Sequence, residues 1–215
     1  MSARLSTASP HPSSSGSVHA RACLARGVAA VALALAVALA LGACGDSHTR
    51  VTTGTYAGES GQNAPYLNVG PLVYEAQLSR ELNPANVEDA AYLQGLTPAQ
   101  RALKPGEEWF AVFVQVYNHT STPHLGAGDL TISDTQNNVY TPIQPDQSNQ
   151  FAYRAGLIPT ESQVPVPGSV AANGGTQGAL LLYKIQVVSL DNRPLKLHIV
   201  DPTDATQTAS AVLDV

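Results

Sequence analysis

The sequence predicts a mainly β protein, an antiparallel β-sandwich of about seven strands with a short helical segment before the second strand. Three observations lead to this fold class. Short runs in which apolar and polar residues alternate recur after residue 70, and a period of two is typical of half-buried strands. Turn residues separate these runs, and no long stretch with helical periodicity lies among them.

The first predicted elements are a strand and a short helix. Apolar residues alternate with polar ones over 71–79, which predicts a strand with one apolar face. Asn83 suits an N-cap and Pro84 the first turn of a helix over 85–94. Gly95 suits the end of that helix. The sequence therefore predicts a short helical segment between the first two strands.

The next predicted strand, 108–118, has the highest density of aromatic and β-branched residues, which favours a central position in a sheet. One of its faces carries the aromatic residues Trp109, Phe113 and Tyr117. These rings could form a ligand-stacking platform, as in sugar-binding sandwiches. We expect instead that segment 77–96 covers them, because aromatic residues at period two on a central strand usually mark burial.

The remaining elements follow from the same alternation and from turn residues. Leu130–Ser133 and Val139–Ile143 flank a polar turn and predict a hairpin. The Pro-, Gln-, Asn- and Gly-rich stretch that follows predicts long loops with one short strand near Phe151. The last three predicted strands are 177–188, 195–199 and 209–213.

From Leu103 to the C-terminus, this order of features resembles an Ig-like domain of unknown function found in secreted bacterial lipoproteins. Pro105-Gly106 precedes the strand Trp109–Val116, and the polar turn Asn118–Pro123 follows it. A hairpin and the pair Gly174-Gly175, ahead of an apolar strand, complete the pattern. The resemblance covers about half of the chain and implies an Ig-like sandwich. It carries no catalytic residues to this sequence.

The N-terminal part predicts a secretion signal. Arg21 and Arg26 precede an uncharged apolar run of about 15 residues, shorter than the roughly 20 that a membrane-spanning helix needs. Leu41-Gly42-Ala43-Cys44 then resembles the lipobox of bacterial lipoproteins. The resemblance implies cleavage between Ala43 and Cys44 and a lipid on the Cys44 thiol. Translation starts at Met1 or, with a GTG codon, at Val18.

The predicted organisation has three segments: a signal peptide (1–43), a flexible tether (44–64) and an Ig-like β-sandwich domain (65–215). The tether has a root-mean-square reach of about 25 Å. The chain after residue 43 has 8 basic and 16 acidic side chains, and this negative charge disfavours binding to nucleic acid. The expected location is the cell membrane, lipid-anchored and facing away from the cytoplasm.

The sequence contains no zinc-protease helix, phosphate loop or nucleophile elbow. His119, His124 and Asp129 could supply metal ligands, but their spacing favours solvated turn residues. We therefore expect no metal, no cofactor and no catalysis. The leading hypothesis is a non-catalytic binding or accessory module of the cell envelope, whose partner is an envelope protein or a polysaccharide. The alternatives are a lipoprotein that binds a divalent metal or small ligand, and an envelope enzyme subunit.

Overall fold

The computed structural model describes residues 55–57 and 66–213, and their fold is mainly β. The predicted signal peptide, Ala43 and Cys44 lie outside this part of the chain. The strands are β1 (Thr55–Ala57), β2 (Leu67–Val69), β3 (Leu72–Leu82), β4 (Glu107–Asn118), β5 (His124–Leu125), β6 (Leu130–Ser133), β7 (Val139–Tyr140), β8 (Leu157–Ile158), β9 (Ser162–Val164), β10 (Ala179–Gln186), β11 (Lys196–Val200) and β12 (Thr208–Val212).

Three short α-helices and one 3₁₀ turn connect these strands. They are α1 (Val87–Tyr92), α2 (Pro98–Arg101), α3 (Val170–Asn173) and the 3₁₀ turn Val187–Leu190. The predicted helix lies between β3 and β4, but Asn86 caps it in place of Asn83. The Asn86 side chain accepts hydrogen bonds from the amides of Glu88 and Asp89, whereas Asn83 accepts from Ala85 within the preceding turn. The helix therefore begins two residues later than predicted.

Two sheets form the sandwich. One has the strand order β10-β4-β3-β2, and β9 continues along β4 beyond the end of β10. The other has the order β1-β12-β11-β6-β7. Strands β3, β4 and β10 pair as strands A, B and E of an immunoglobulin domain do, and β6, β11 and β12 pair as strands C, F and G. The predicted antiparallel sandwich is confirmed, with a short helical segment before β4.

The main core lies between the two sheets. Even-numbered residues of β4 face inward, from Phe110 to Val116, and each of them is fully buried. From the opposite sheet, Leu197 and Ile199 of β11 pack against this layer. The alternation predicted for 108–118 therefore positions β4 as the central strand of its sheet, bonded to β3 on one side and to β10 and β9 on the other.

A second apolar cluster covers the outer face of β4. The chain from the end of β3 through α1 packs on this face, as expected for segment 77–96. The ring of Tyr92 lies edge-on to Phe113, with 5.1 Å between the ring centroids, and edge-on to Phe151 at 4.9 Å. The buried members of this cluster are Leu82, Tyr92, Leu93, Leu96, Trp109, Ala111, Phe113, Leu180 and Leu182.

Strand β1 lies within the stretch 44–64 that the sequence predicted as a tether. Thr55–Ala57 pairs with β12 in parallel, with Thr55 opposite Ser210. This part of the stretch is therefore a strand of the sandwich. Because β1 runs parallel to β12, the chain joins the sheet at the end where β12 begins, beside the loop 201–207. Asp201 of that loop lies against Gly70 in the β2–β3 turn.

Several short elements account for the difference between about seven predicted strands and those observed in the described residues. Strands β5, β8 and β9 and helix α3 are two to four residues long and lie in stretches rich in Pro, Gly and Asn. Runs this short show no periodicity, because tertiary contacts rather than local pattern determine them. Phe151 and Tyr153 bond to Leu180 of β10, near the predicted short strand.

Candidate functional site

The structure separates the three aromatic residues of the predicted platform. Trp109 and Phe113 are buried beneath α1 and its flanking loops, with 2% and 0% of their surface exposed. Lys184 further covers the Trp109 ring, with its Nζ 5.3 Å from the ring centroid. These two rings belong to the apolar core and cannot stack on a ligand. Tyr117, at the end of the same face, is half-buried and borders a cleft.

The cleft has a volume of about 420 Å³ and lies at the end of β4. On one side, the His119 ring lies nearly parallel to the Tyr117 ring, with 5.6 Å between centroids and 8° between planes. The Tyr66 ring, which is not part of the lining, meets the Tyr117 ring at 66°, with 6.4 Å between centroids. The described lining residues are Tyr117, His119, Glu161, Ser162, Gln163 and Pro167. This set of residues is called the Tyr117 cleft.

The rigid sheet positions the floor of the cleft. Tyr117 pairs with Val73 of β3 on one side and with Gln163 of β9 on the other. Its hydroxyl donates toward Glu75 Oε2 at 3.2 Å and also contacts Gln115 Oε1. The Tyr117 ring is thus fixed by backbone pairing on both sides and by polar contacts at its tip.

A buried asparagine holds the walls of the cleft together. The Asn118 side chain has no exposed surface, and its Nδ2 lies within hydrogen-bonding distance of the carbonyl oxygens of Thr122, Ile158 and Pro159, at 2.8 to 3.1 Å. Its Oδ1 accepts from the Thr120 amide. Buried amide groups must be paired to offset their desolvation. These bonds therefore join the loop that carries His119 to the chain that leads into Glu161.

Glu161 is placed by an unusual backbone conformation. Its φ angle is +48°, in the left-handed region that side chains other than glycine rarely adopt. The Glu161 amide donates to the Thr120 carbonyl at 3.3 Å, and the Thr160 hydroxyl donates to the same oxygen at 3.0 Å. Such backbone strain persists where surrounding contacts hold it, often at ligand sites. Here it places a carboxylate at the rim of the Tyr117 cleft.

The electrostatic character of the cleft is acidic. Glu161 is exposed at the rim, and Glu75 lies behind Tyr117 with 8% of its surface exposed. None of the described residues that line the cleft is Lys or Arg. Burial, and then the nearby Glu75 charge, raise the pKa of Tyr117 above its ordinary value. Its hydroxyl therefore stays protonated and acts as a hydrogen-bond donor at neutral pH.

The residues considered as metal ligands are not brought together. Within residues 66–213 and β1, no three His, Cys, Asp or Glu side chains form a group that could hold a metal ion. His119 stacks on Tyr117, whereas His124 Nε2 lies 3.0 Å from the Thr122 hydroxyl. The described part of the chain also contains no helix long and apolar enough to cross a membrane.

A serine–histidine pair lies elsewhere, on the outer face of the other sheet. Ser133 Oγ is 2.7 Å from His198 Nε2. Burial, followed by the charge of Lys196, lowers the pKa of His198, which favours its neutral form. The two side chains project from adjacent strands of a sheet face, and neither lines any of the described clefts. This pair does not form the nucleophile, base and orienting acid of a hydrolase.

Sequence reasoning identified Tyr117 but missed most of the cleft. The remaining lining residues, Glu161 to Gln163 and Pro167, lie 44 to 50 positions after Tyr117 in the sequence. His119, predicted to be a solvated turn residue, stacks on the Tyr117 ring. No local signal marks these residues, because the turn that carries His119 is fixed by long-range bonds from the buried Asn118 side chain. The fold and the site together define a small β-sandwich with an aromatic, acidic cleft at one end.

Comparison with known proteins identifies no family. No family model and no curated protein matches the chain. Among solved structures, ycdA of Bacillus subtilis, assigned as a lipoprotein, is 9% identical with a TM-score of 0.42, over 72% of this chain and 39% of that chain. The chain thus spans well under half of ycdA.

Two further solved structures are similar. The yjhA protein of Bacillus subtilis is 10% identical with a TM-score of 0.48, over 75% of this chain and 100% of that chain. An uncharacterized β-sandwich protein of Clostridium difficile is 8% identical with a TM-score of 0.39, over 79% and 97% of the two chains. All three TM-scores are below 0.5, and these structures do not indicate a function for this chain.

Proposed function

We propose that this chain is a lipid-anchored module of the bacterial cell envelope that binds a ligand, without transforming it, in the Tyr117 cleft. The single observation that carries the proposal is a half-buried aromatic ring at the floor of a cleft on a rigid sheet. Sites for small ligands are concave, largely preformed, and combine apolar or aromatic surface with a few convergent polar groups. The cleft has these properties.

The side chains around the cleft suit recognition of a polar ligand. Tyr117 and His119 offer ring surface, and Glu161, Ser162 and Gln163 offer hydrogen-bonding groups. Backbone pairing on both sides of Tyr117 fixes the floor before a ligand arrives, which lowers the entropic cost of binding. The volume of about 420 Å³ suits one sugar unit or a group of similar size on a larger envelope component.

The proposal of a lipid anchor rests on the sequence Leu41-Gly42-Ala43-Cys44 and on the short apolar run before it. A diacylglycerol group on Cys44 would hold the protein at the membrane, because each buried methylene contributes about 0.8 kcal/mol. The sandwich would then face away from the cytoplasm. Envelope polysaccharide and other membrane-proximal molecules would be within its reach.

Ligand-observed NMR tests the binding role. The full chain, purified in detergent, is mixed with fragments released from bacterial cell-wall polysaccharide, and saturation transfer to each fragment is measured. Tyr117→Ala should abolish the transfer. Thr131→Ala, on the outer face of the other sheet, is the matched control and should retain it. Equal transfer with both variants would place binding elsewhere, and recovery of a chemically altered fragment would contradict a non-catalytic role.

A further inference from the structure

We propose that the Tyr117 cleft recognises an organic ammonium group, held against the Tyr117 and His119 rings with Glu161 as its counter-charge. This inference deepens the proposed binding role and rests on it. The first supporting observation is the charge of the cleft. The described lining has a carboxylate at the rim, and a second carboxylate, Glu75, lies behind the floor. No described lining residue carries a permanent positive charge, so the cleft favours cations over anions.

The second observation is the arrangement of the rings. The rings of Tyr117 and His119 both line the cleft, and the Tyr66 ring meets the Tyr117 ring edge-on at 66°, with 6.4 Å between their centroids. Tyr66 has 40% of its surface exposed. Organic cations bind over the faces of aromatic rings within about 6 Å of the centroid, and sites for quaternary ammonium groups combine several such rings. Two rings that line the cleft beside the Glu161 carboxylate have the components of such a site.

The third observation is that Glu75 is buried and takes part in none of the salt bridges found among the described residues. The carboxylate is buried, and the partner seen for it is the neutral hydroxyl of Tyr117 at 3.2 Å. The salt bridges found among the described residues, Arg80–Asp89 and Lys104–Glu107, do not involve it. A buried carboxylate without a cation is costly. An ammonium group on the other side of Tyr117 would offset this cost, and the hydrogen bond to Glu75 makes the Tyr117 ring richer in electrons.

Calorimetry with matched pairs of probes tests the inference on the full chain in detergent. Choline is compared with 3,3-dimethylbutan-1-ol, which has the same shape without the charge. Glucosamine is compared with glucose. The two pairs separate quaternary from primary ammonium groups, and preferential binding in either pair supports the proposal. We expect the charged member to bind about ten-fold more tightly than its neutral counterpart.

Two variants that remove the same charge complete the test. Glu161→Gln should weaken binding of the charged probe by about two- to five-fold. Asp191→Asn, an exposed residue in the turn at the opposite end of the sandwich, should leave it unchanged. Equal affinity for charged and neutral probes would overturn the ammonium inference and leave the binding role intact. If neither these probes nor the cell-wall fragments bind, both proposals fail.

Discussion

Replacing Tyr92 with alanine tests whether the helical cover, the chain from the end of β3 through α1 that packs on the outer face of β4, is part of the folded core. Tyr92 has 1% of its surface exposed, and its ring packs edge-on against Phe113 and Phe151. Truncating a buried aromatic residue to alanine costs about 3–5 kcal/mol, which includes the cavity that remains. Because a typical domain is stable by about 5–15 kcal/mol, Tyr92→Ala should stay folded but lose a large part of its stability.

Urea unfolding measures this loss. Trp109, the only tryptophan of the chain, lies in the same cluster and reports on it by fluorescence. With a slope of about 2 kcal/mol per molar urea, the midpoint should fall by about 2 M. Val87→Ala is the matched control, because Val87 lies on the same helix with 89% of its surface exposed, and it should cost no more than about 0.5 kcal/mol.

Two results would refute this reasoning. If Tyr92→Ala and Val87→Ala shift the midpoint equally, the cover contributes nothing to global stability. If the fluorescence and circular dichroism transitions of the unmodified chain separate, the cover unfolds independently of the sandwich. Either result would mean that the outer face of β4 can be uncovered without unfolding the sheets, and that Trp109 and Phe113 are accessible after all.

Three further changes have defined outcomes. Gly70→Ala should lower the free energy of unfolding in urea by about 3 kcal/mol, because φ is +57° and a Cβ would meet Asp201 Oδ2 at 1.8 Å. Gly168→Ala is the control: φ is also positive, but the space is open, and the loss should be only about 1 kcal/mol. Burial opposes ionisation of Asp134, but bonds from Asn138, Ser189 and backbone amides outweigh it and lower its pKa. This stabilisation is present above the unfolded pKa of about 3.9 and is lost as pH falls through the folded pKa. Acid should therefore destabilise Asp134→Asn less than the unmodified chain. If acid lowers the stability of both equally, the hydrogen bonds to Asp134 do not stabilise its ionised form. Cys44→Ser should abolish the lipid-modified N-terminus in mass spectra of membrane fractions, whereas a native protein that starts at Met1 or Val18 would contradict the anchor.

The parts of the fold that the sequence predicted are those in which side-chain alternation coincides with burial. β11 has strict period two, so its core face could be assigned before the structure was known. β4 is apolar on both faces over 109–114, which predicted a central, covered strand. The same alternation placed Trp109, Phe113 and Tyr117 on one face but could not show where the cover ends. That depends on how far the segment after β3 reaches, and it stops short of Tyr117.

The cleft could not be predicted, because long-range contacts assemble it. Tyr117 and Glu161 are 44 positions apart, and they meet because Asn118 and Thr120 bond to residues 158–161. Nothing local distinguishes these residues from an ordinary polar loop. The positive φ of Glu161 also has no sequence signal, since glycine and asparagine are the residues that usually indicate it.

The direction in which β1 runs limits where a lipid-anchored form of this protein could find its ligand. β1 starts at the end of the sandwich that contains Gly70, the loop 201–207 and the Tyr117 cleft. Only ten residues separate Cys44 from Thr55, and a fully extended chain of that length spans at most about 40 Å. With the lipid on Cys44, β1 would therefore keep the cleft-bearing end within that distance of the bilayer surface. The protein would sample the innermost layer of the envelope, and molecules confined to outer layers would stay beyond its reach.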